Sequence, residues 1–293
     1  MSAAPGADPN PPAEAVREAV RRALAEDLLP LGDLTGMLVP EEAEGSMLLV
    51  AREAGVLAGR RCADETMAQV GGCSAAWQLG EGSPVEPGQA VAELTGSLRA
   101  LLAAERTLLN FVCHLSGIAT LTRRFVEAAR AANPAVRILD TRKTTPNFRL
   151  LEKEAVRIGG GLNHRFGLYD MMLLKDNHID YAGSIEVAIE KASAYRQAHK
   201  PQLKIEVETR SLDEVRRVLA IGMVDRIMLD NFTPRQLSEA LHLIGDRFET
   251  EASGGIHLGN IEDYARTGVD YVSVGALIHQ ARSLDLSLKA VTV

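Results

Sequence analysis

Residues Leu203 to Asn231 read LKIEVETRSLDEVRRVLAIGMVDRIMLDN, and this stretch decides the fold. An apolar run of strand length, Leu203 to Val207, gives way to helical spacing from Leu212 to Ile221. A second apolar run follows from Arg226 to Leu229. Strand, helix and strand in that order form a βαβ unit with parallel strands. The same alternation extends outward on both sides. Val136 to Leu139 and Met171 to Leu174 precede it; Thr250 to Ala252 and Tyr271 to Val274 follow. Helical patterns lie at Ala182 to Ala198, Pro234 to Ile244 and Ile261 to Thr267. Six such strands from one continuous segment predict a closed or partly open α/β barrel. No G-x-G-x-x-G follows any of them, so a dinucleotide-binding doubly wound sheet is not indicated.

Upstream the texture is different. From Ala13 to Leu29 the residues Val16, Val20, Ala23, Leu24 and Leu28 recur at helical spacing until Pro30 stops the pattern. Short strand-like runs follow at Ser46 to Ala51, Val56 to Ala58, Ala75 to Leu79 and Ala90 to Leu94, separated by glycine-rich turns and Pro87-Gly88. This is the pattern of an α+β domain with antiparallel strands. Arg99 to Asn133 holds two helical patterns with an expected break near Ser116-Gly117. The expected organisation is a disordered tail over 1–12, a first domain over 13–116 and a barrel over 117–279.

Composition narrows the function. Of 293 residues, 46% are hydrophobic and 24% charged, as in an ordinary globular protein with a sizeable core. A formal net charge of −7 argues against general nucleic-acid or anionic-membrane binding. Three cysteines without a C-x-x-C indicate neither a disulfide framework nor a zinc site, and point to a reducing, cytoplasmic setting. The first residues have neither a basic nor an apolar region of the kind a signal peptide needs.

Against that acidic background the strand ends stand out, because α/β barrels build their sites there. After Leu139 comes Asp140-Thr141-Arg142-Lys143-Thr144-Thr145-Pro146, with two cations and three hydroxyls suited to phosphate or carboxylate. After Leu174 comes Lys175-Asp176-Asn177-His178. The following strands end at Glu208, Asp230-Asn231, Ser253-Gly254-Gly255 and Gly275. The glycines read as a backbone cradle for a phosphate, or as tight βα turns. Glu208 and Asp230 can hold Mg²⁺ or stabilise a developing cation, or can pair with cations across the mouth. Glu206 shares a strand face with Glu208 and reads as a second ligand or a lysine's partner. His164-Arg165, behind Gly159-Gly160-Gly161, suits a loop closing over an anion and equally a solvated surface loop. Arg106 borders a helical stripe and reads by itself as a surface arginine.

Taken together these residues resemble the quinolinate phosphoribosyltransferase family, also called carboxylating nicotinate-nucleotide pyrophosphorylases. The resemblance runs through Ala104-Glu105-Arg106, Ser116-Gly117-Ile118-Ala119 and Thr141-Arg142-Lys143-Thr144-Thr145-Pro146. It continues through Asn163-His164-Arg165, Lys175-Asp176-Asn177-His178 and Glu206-Val207-Glu208. It ends with Leu229-Asp230-Asn231-Phe232, Glu251-Ala252-Ser253-Gly254-Gly255-Ile256 and Ser273-Val274-Gly275. It covers nearly the whole chain behind the tail.

The resemblance implies an N-terminal α/β sandwich-like domain, an open α/β barrel, and a C-terminal stretch, 280–293, that returns to the first domain. It implies transfer of phosphoribose from phosphoribosyl pyrophosphate to quinolinate with decarboxylation, giving nicotinate mononucleotide for NAD biosynthesis, with Mg²⁺. Lys143, Lys175, Glu208 and Asp230 would be catalytic. Thr141, Arg142, Lys143, His164, Arg165 and Lys175 would bind substrate, with Ser253, Gly254, Gly255 and Gly275 on the 5-phosphate. Glu208 and Asp230 would face the ribose and the metal. A homodimer is implied in which Arg106 enters the partner's barrel. Other readings of the same residues are transfer to another pyridine or pyrimidine acid without decarboxylation, a Schiff-base aldolase using Lys143 or Lys175, and a non-catalytic sensor of a phosphorylated metabolite.

Overall fold

A computed structural model of the chain describes residues 11–291, in two compact units. The expected tail therefore falls almost entirely outside the described residues; Pro12 immediately precedes the first helix. The first unit takes in the chain up to Arg123, returns for 144–160, and receives the C-terminal stretch from Gln280. The second comprises 124–143 and 161–279.

The first unit opens with α1 (Ala13–Leu28) and continues with β1 (Glu44–Ala51), β2 (Gly55–Val56), α2 (Arg60–Val70), β3 (Cys73–Trp77), β4 (Pro84–Val85) and β5 (Ala90–Ser97). A long helix, α3 (Leu98–Ala132), follows, and its last turns belong to the second unit. The main sheet is antiparallel and is completed by the last strand of the chain, β12 (Leu286–Val291), in the order β12-β1-β5-β3. Met47 and Leu49 of β1, and Val91, Ala92 and Leu94 of β5, enter a core shared with Leu101, Leu108 and Val112 of α3.

The sequence predicted a break in this helix near Ser116-Gly117; the structure has 35 continuous helical residues. Gly117 is there for proximity. A Cβ at that position would collide with the Arg282 carbonyl oxygen of the returning C-terminal segment. The helix continues through Gly117, and the two compact units divide within it, at 123/124.

The second unit is built on β6 (Arg137–Leu139), β7 (Met172–Leu174), β8 (Ile205–Thr209), β9 (Arg226–Asp230), β10 (Glu249–Ser253) and β11 (Tyr271–Ser273). All pairings are parallel, in the order β6-β11-β10-β9-β8-β7. That is chain order taken cyclically with one seam, between β6 and β7, where the isolated bridge Leu139–Leu162 forms. The result is an open α/β barrel. In the remaining helices, α4 (Arg149–Ile158) lies in the first unit. The second holds α5 (Asp176–Ala182), α6 (Ile185–His199), α7 (Leu212–Ile221), α8 (Pro234–Ile244), α9 (Ile261–Arg266) and α10 (Ala276–His279).

The crossover helices begin where side chains satisfy their first amides. Ser184 accepts from Val187, Ser211 from Glu214, and Thr233 forms a capping box with Gln236 behind which Pro234 opens α8. The central strands β8 and β9 are buried on both faces, as parallel strands under helices must be.

Candidate active site

Beyond β6 the chain turns sharply, with the Thr141 hydroxyl accepting the Lys143 backbone N–H at 3.0 Å. Arg142 and Lys143 are exposed there. The stem of Lys143 passes over Gly275, at the end of β11. A Cβ at Gly275 would lie 3.1 Å from both Lys143 Cδ and His279 Nε2, so the missing side chain makes room for the lysine.

The segment Asn163 to Met171 is fastened at several points. Asp140, fully buried, accepts the His164 backbone N–H at 2.9 Å and the Asn163 side-chain amide at 2.6 Å. The Arg165 backbone N–H donates to His164 Nδ1 at 2.8 Å, and the Arg165 guanidinium donates to the Met171 carbonyl at 3.3 Å. Asp170 accepts the amides of Phe166 and Gly167. This is a braced arm, unlike the solvated loop that the glycine run also allowed. Burial, and then the nearby Arg142 charge, lower the proton affinity of Arg165. Two guanidinium groups held in mutual repulsion are a place for a strong anion.

On the other side of the mouth Lys175 Nζ donates to Glu208 Oε2 at 2.5 Å. Asp230 receives the Asn231 side-chain amide at 2.6 Å. Asn231 has a positive φ of 58°, and its backbone N–H donates to the Ser253 carbonyl. This ties the ends of β9 and β10 together.

Gly254 packs against that asparagine so closely that a Cβ would strike its Oδ1. Gly255, at φ 64°, has nothing within 4 Å of where a Cβ would be. Gly254 is thus explained by packing, while Gly255 leaves the open backbone turn that the cradle reading needs.

Glu206 takes neither role read for it in the sequence. Its carboxylate lies inside the barrel, fully buried, with His164 Nε2 3.1 Å away. Glu251, equally buried, lies 3.4 Å from the same nitrogen and receives Arg226 at 3.0 Å. The guanidinium carbon of Arg226 sits 4.0 Å from the centre of the Tyr271 ring.

Burial alone would lower the His164 pKa, but Glu251 and Glu206 outweigh it and lift it to about 9. Burial, then Glu251, pushes Glu206 up to about 7. Glu251 is held near 2, because His164 and Arg226 overcome its burial. Nδ1 of His164 accepts the Arg165 amide, while Nε2 lies against the two carboxylates without a hydrogen bond to either.

His164, Glu206 and Glu251 bring possible ligand atoms within 4.8 Å of one another. Arg226 already supplies the cation that this pair of carboxylates calls for, so we do not read the group as a metal centre.

The strand ends thus gather Thr141, Arg142, Lys143, His164, Arg165, Lys175, Glu208, Asp230, Ser253, Gly254, Gly255 and Gly275 in the second unit. Arg106 belongs to the first. It is exposed on α3, in a groove lined by Asn110, Cys113 and the segment Arg282 to Leu286. Sequence reasoning gave no role to Asp140, Asp170, Glu251 or Arg226. The available signal was a carboxylate placed just inside or just behind an apolar strand run.

The family model described as quinolinate phosphoribosyl transferase, C-terminal domain, matches residues 118–289; that of the N-terminal domain matches 33–116. A Nicotiana tabacum protein named quinolinate phosphoribosyltransferase (decarboxylating) 2b, mitochondrial, is 41% identical over 96% of this chain and 84% of its own length. A Mycobacterium leprae protein named nicotinate-nucleotide pyrophosphorylase (carboxylating) is 42% identical over 94% of this chain and 97% of its own. A solved structure of the nicotinate-nucleotide pyrophosphorylase from Francisella tularensis superposes with a TM-score of 0.91 at 37% identity, covering 97% of this chain and 99% of that one.

Proposed function

The chain belongs to the quinolinate phosphoribosyltransferase family, and on that premise we propose how its strand ends carry out the reaction. The enzyme transfers phosphoribose from phosphoribosyl pyrophosphate to quinolinate, releasing pyrophosphate and CO₂ and giving nicotinate mononucleotide for NAD biosynthesis. The observation that carries the assignment of roles is the braced arm that presents Arg165, held through Asp140, His164 and Asp170, at the barrel mouth where Arg142 and Lys143 are exposed. These cations suit the two carboxylates of quinolinate, with its ring nitrogen turned towards the ribose. Lys143, reaching across Gly275, serves the same substrate and the departing pyrophosphate.

Glu208 and Asp230 face the ribosyl centre, where carboxylates stabilise the positive charge that develops as the C1–O bond to pyrophosphate breaks. Lys175 donates to Glu208 and holds its carboxylate aligned. The pyridine nitrogen then donates its lone pair to C1, and pyrophosphate leaves with the electrons of the broken bond. The ring is now cationic and accepts the electron pair of the C2–carboxylate bond as CO₂ departs; a proton is taken up at C2. The Ser253 to Gly255 turn and Gly275 hold the 5-phosphate through backbone N–H groups.

Lys175 engages Oε2 of Glu208 and Asn231 engages Oδ2 of Asp230. As hard oxygen donors, Glu208 and Asp230 would hold Mg²⁺ through their other oxygens. When bound, the ion neutralises charge on pyrophosphate. The assembly we propose is a homodimer in which Arg106 completes the partner's site. We place the enzyme in the cytoplasm, where three unpaired cysteines remain reduced; no helix among the described residues is long and apolar enough to cross a membrane.

Purified protein given quinolinate carrying labelled 2-carboxylate, phosphoribosyl pyrophosphate and Mg²⁺ tests this directly. Nicotinate mononucleotide and labelled CO₂ are expected in equal amounts, falling to background with a chelator. A mononucleotide that keeps both carboxylates would sink the decarboxylation, and full turnover in metal-free buffer would sink the metal role.

A further inference from the structure

We propose that Asn260 is a positioning residue for the phosphate turn, holding the Gly255 carbonyl so that the Ile256 N–H joins the donors offered to the 5-phosphate. The side-chain amide of Asn260 meets two backbone groups of that segment. Its Nδ2 donates to the Gly255 carbonyl at 3.1 Å, and its Oδ1 accepts the His257 N–H at 2.8 Å. The Asn260 N–H in turn donates to the His257 carbonyl at 3.0 Å, so side chain and backbone are both tied to the segment. The two ends of the amide cannot be exchanged, because a reversed amide would aim its N–H groups at an N–H and its oxygen at a carbonyl.

A trans peptide is planar, with its N–H directed opposite to its C=O. Where a carbonyl is held therefore decides where the next residue's N–H points. The Ser253 carbonyl accepts the Asn231 N–H at 2.8 Å, which turns the Gly254 N–H away from Asn231. The Gly255 carbonyl is held by Asn260, which turns the Ile256 N–H away from Asn260. Between these anchors Gly254, at φ 91°, and Gly255, at φ 64°, take left-handed conformations open to glycine. No backbone hydrogen bond among the described residues uses the N–H of Gly254, Gly255 or Ile256. The Ile256 side chain is buried, which fixes the peptide from its other side. Consecutive N–H groups left open in such a turn form a concave donor site for an anion.

The inference rests on the reading of the Ser253 to Gly255 turn as the place of the 5-phosphate, and the experiment separates the two. Full-length nitrogen-15-labelled protein with assigned backbone signals is titrated with nicotinate mononucleotide, and separately with nicotinate riboside, which lacks the phosphate. The amides of Gly254, Gly255 and Ile256 should shift with the mononucleotide and not with the riboside. A silent Ile256 beside responsive glycines overturns the role of Asn260 and leaves the place of the phosphate standing. An Ile256 shift as large with the riboside overturns it as well. Silence at all three amides, with the mononucleotide bound, refutes the turn as the phosphate site and the proposal with it.

In Asn260→Ala the affinity for the mononucleotide should fall about tenfold, the scale of one hydrogen bond to a charged group. Affinity for the riboside should stay within about twofold, as for an independent site. An equal loss for both compounds makes Asn260 a structural brace and overturns the proposal, as does no loss for either. Asn260→Asp keeps an acceptor for the His257 N–H but has no donor for the Gly255 carbonyl, so it should bind the mononucleotide no better than Asn260→Ala. Wild-type affinity in Asn260→Asp would assign the asparagine to His257 alone and overturn the proposal.

Discussion

At the scale of single residues, the mouth separates groups that are exposed and chemical from groups that are buried and orienting. Lys143 is of the first kind: exposed, with its stem resting on Gly275. Lys143→Ala should therefore lower kcat about a hundredfold or more, the scale of one lost charge-stabilising donor. Its melting temperature should stay within about 2 °C, as for a surface substitution. Near-normal turnover removes Lys143 from the reaction, while a large drop in melting temperature makes it structural.

The exposed groups were legible in the sequence, because a charge directly behind an apolar run lands at the end of a strand. The contacts of the fully buried Asp140, Glu206 and Glu251 were not. Glu206 and Glu208 are alike in sequence, two positions apart on one strand, yet one meets His164 and the other Lys175. What separates them is whichever side chain the neighbouring strands bring alongside, and periodicity carries no information about that.

At the scale of elements, local chemistry was legible where it is self-contained. The helices α7 and α8 carry their own caps, and their expected limits match those observed. The helix α4 went unread for a physical reason. It has no side-chain cap, and the charged residues Glu152 and Lys153 are fully buried in it, interrupting its apolar stripe. In α3 the error went the other way: a glycine taken for a breaker turned out to be a contact.

Gly117→Ala puts two effects in opposition. Alanine within a helix gains about 0.5–1 kcal/mol over glycine. Its methyl, however, would occupy the place of the Arg282 carbonyl oxygen, a backbone atom that moves only with its segment. Overpacking of that kind costs about 1–3 kcal/mol. A net loss of about 1–2 kcal/mol in denaturant unfolding is expected; a gain in stability would restore glycine to the role of a tolerated defect in the helix.

At the scale of the whole molecule, the chain passes between its two units more than once: through α3, out for 144–160, and finally through the last strand, β12, which completes the first sheet beside β1. The change of pattern along the chain indicated two domains, but such a reading cuts the chain into consecutive pieces, and hydrogen bonding between distant segments is invisible to it. Arg106, exposed on α3, poses the same question one level up: whether it serves its own chain or, as proposed, a second one.

The arithmetic of subunit exchange decides it. Arg106→Ala and Lys143→Ala proteins are each expected to be nearly inactive. Mixed equally and allowed to exchange, they form heterodimers as about half of all dimers. If Arg106 acts across the interface, each heterodimer contains one site with both changes and one with neither. About a quarter of all sites are then intact, and activity should rise to about a quarter of wild type. If Arg106 acts within its own subunit, every site in every dimer keeps one defect and nothing is recovered. With exchange verified by mass-tagged subunits, the absence of recovery would assign Arg106 to its own chain and reduce the dimer to a scaffold.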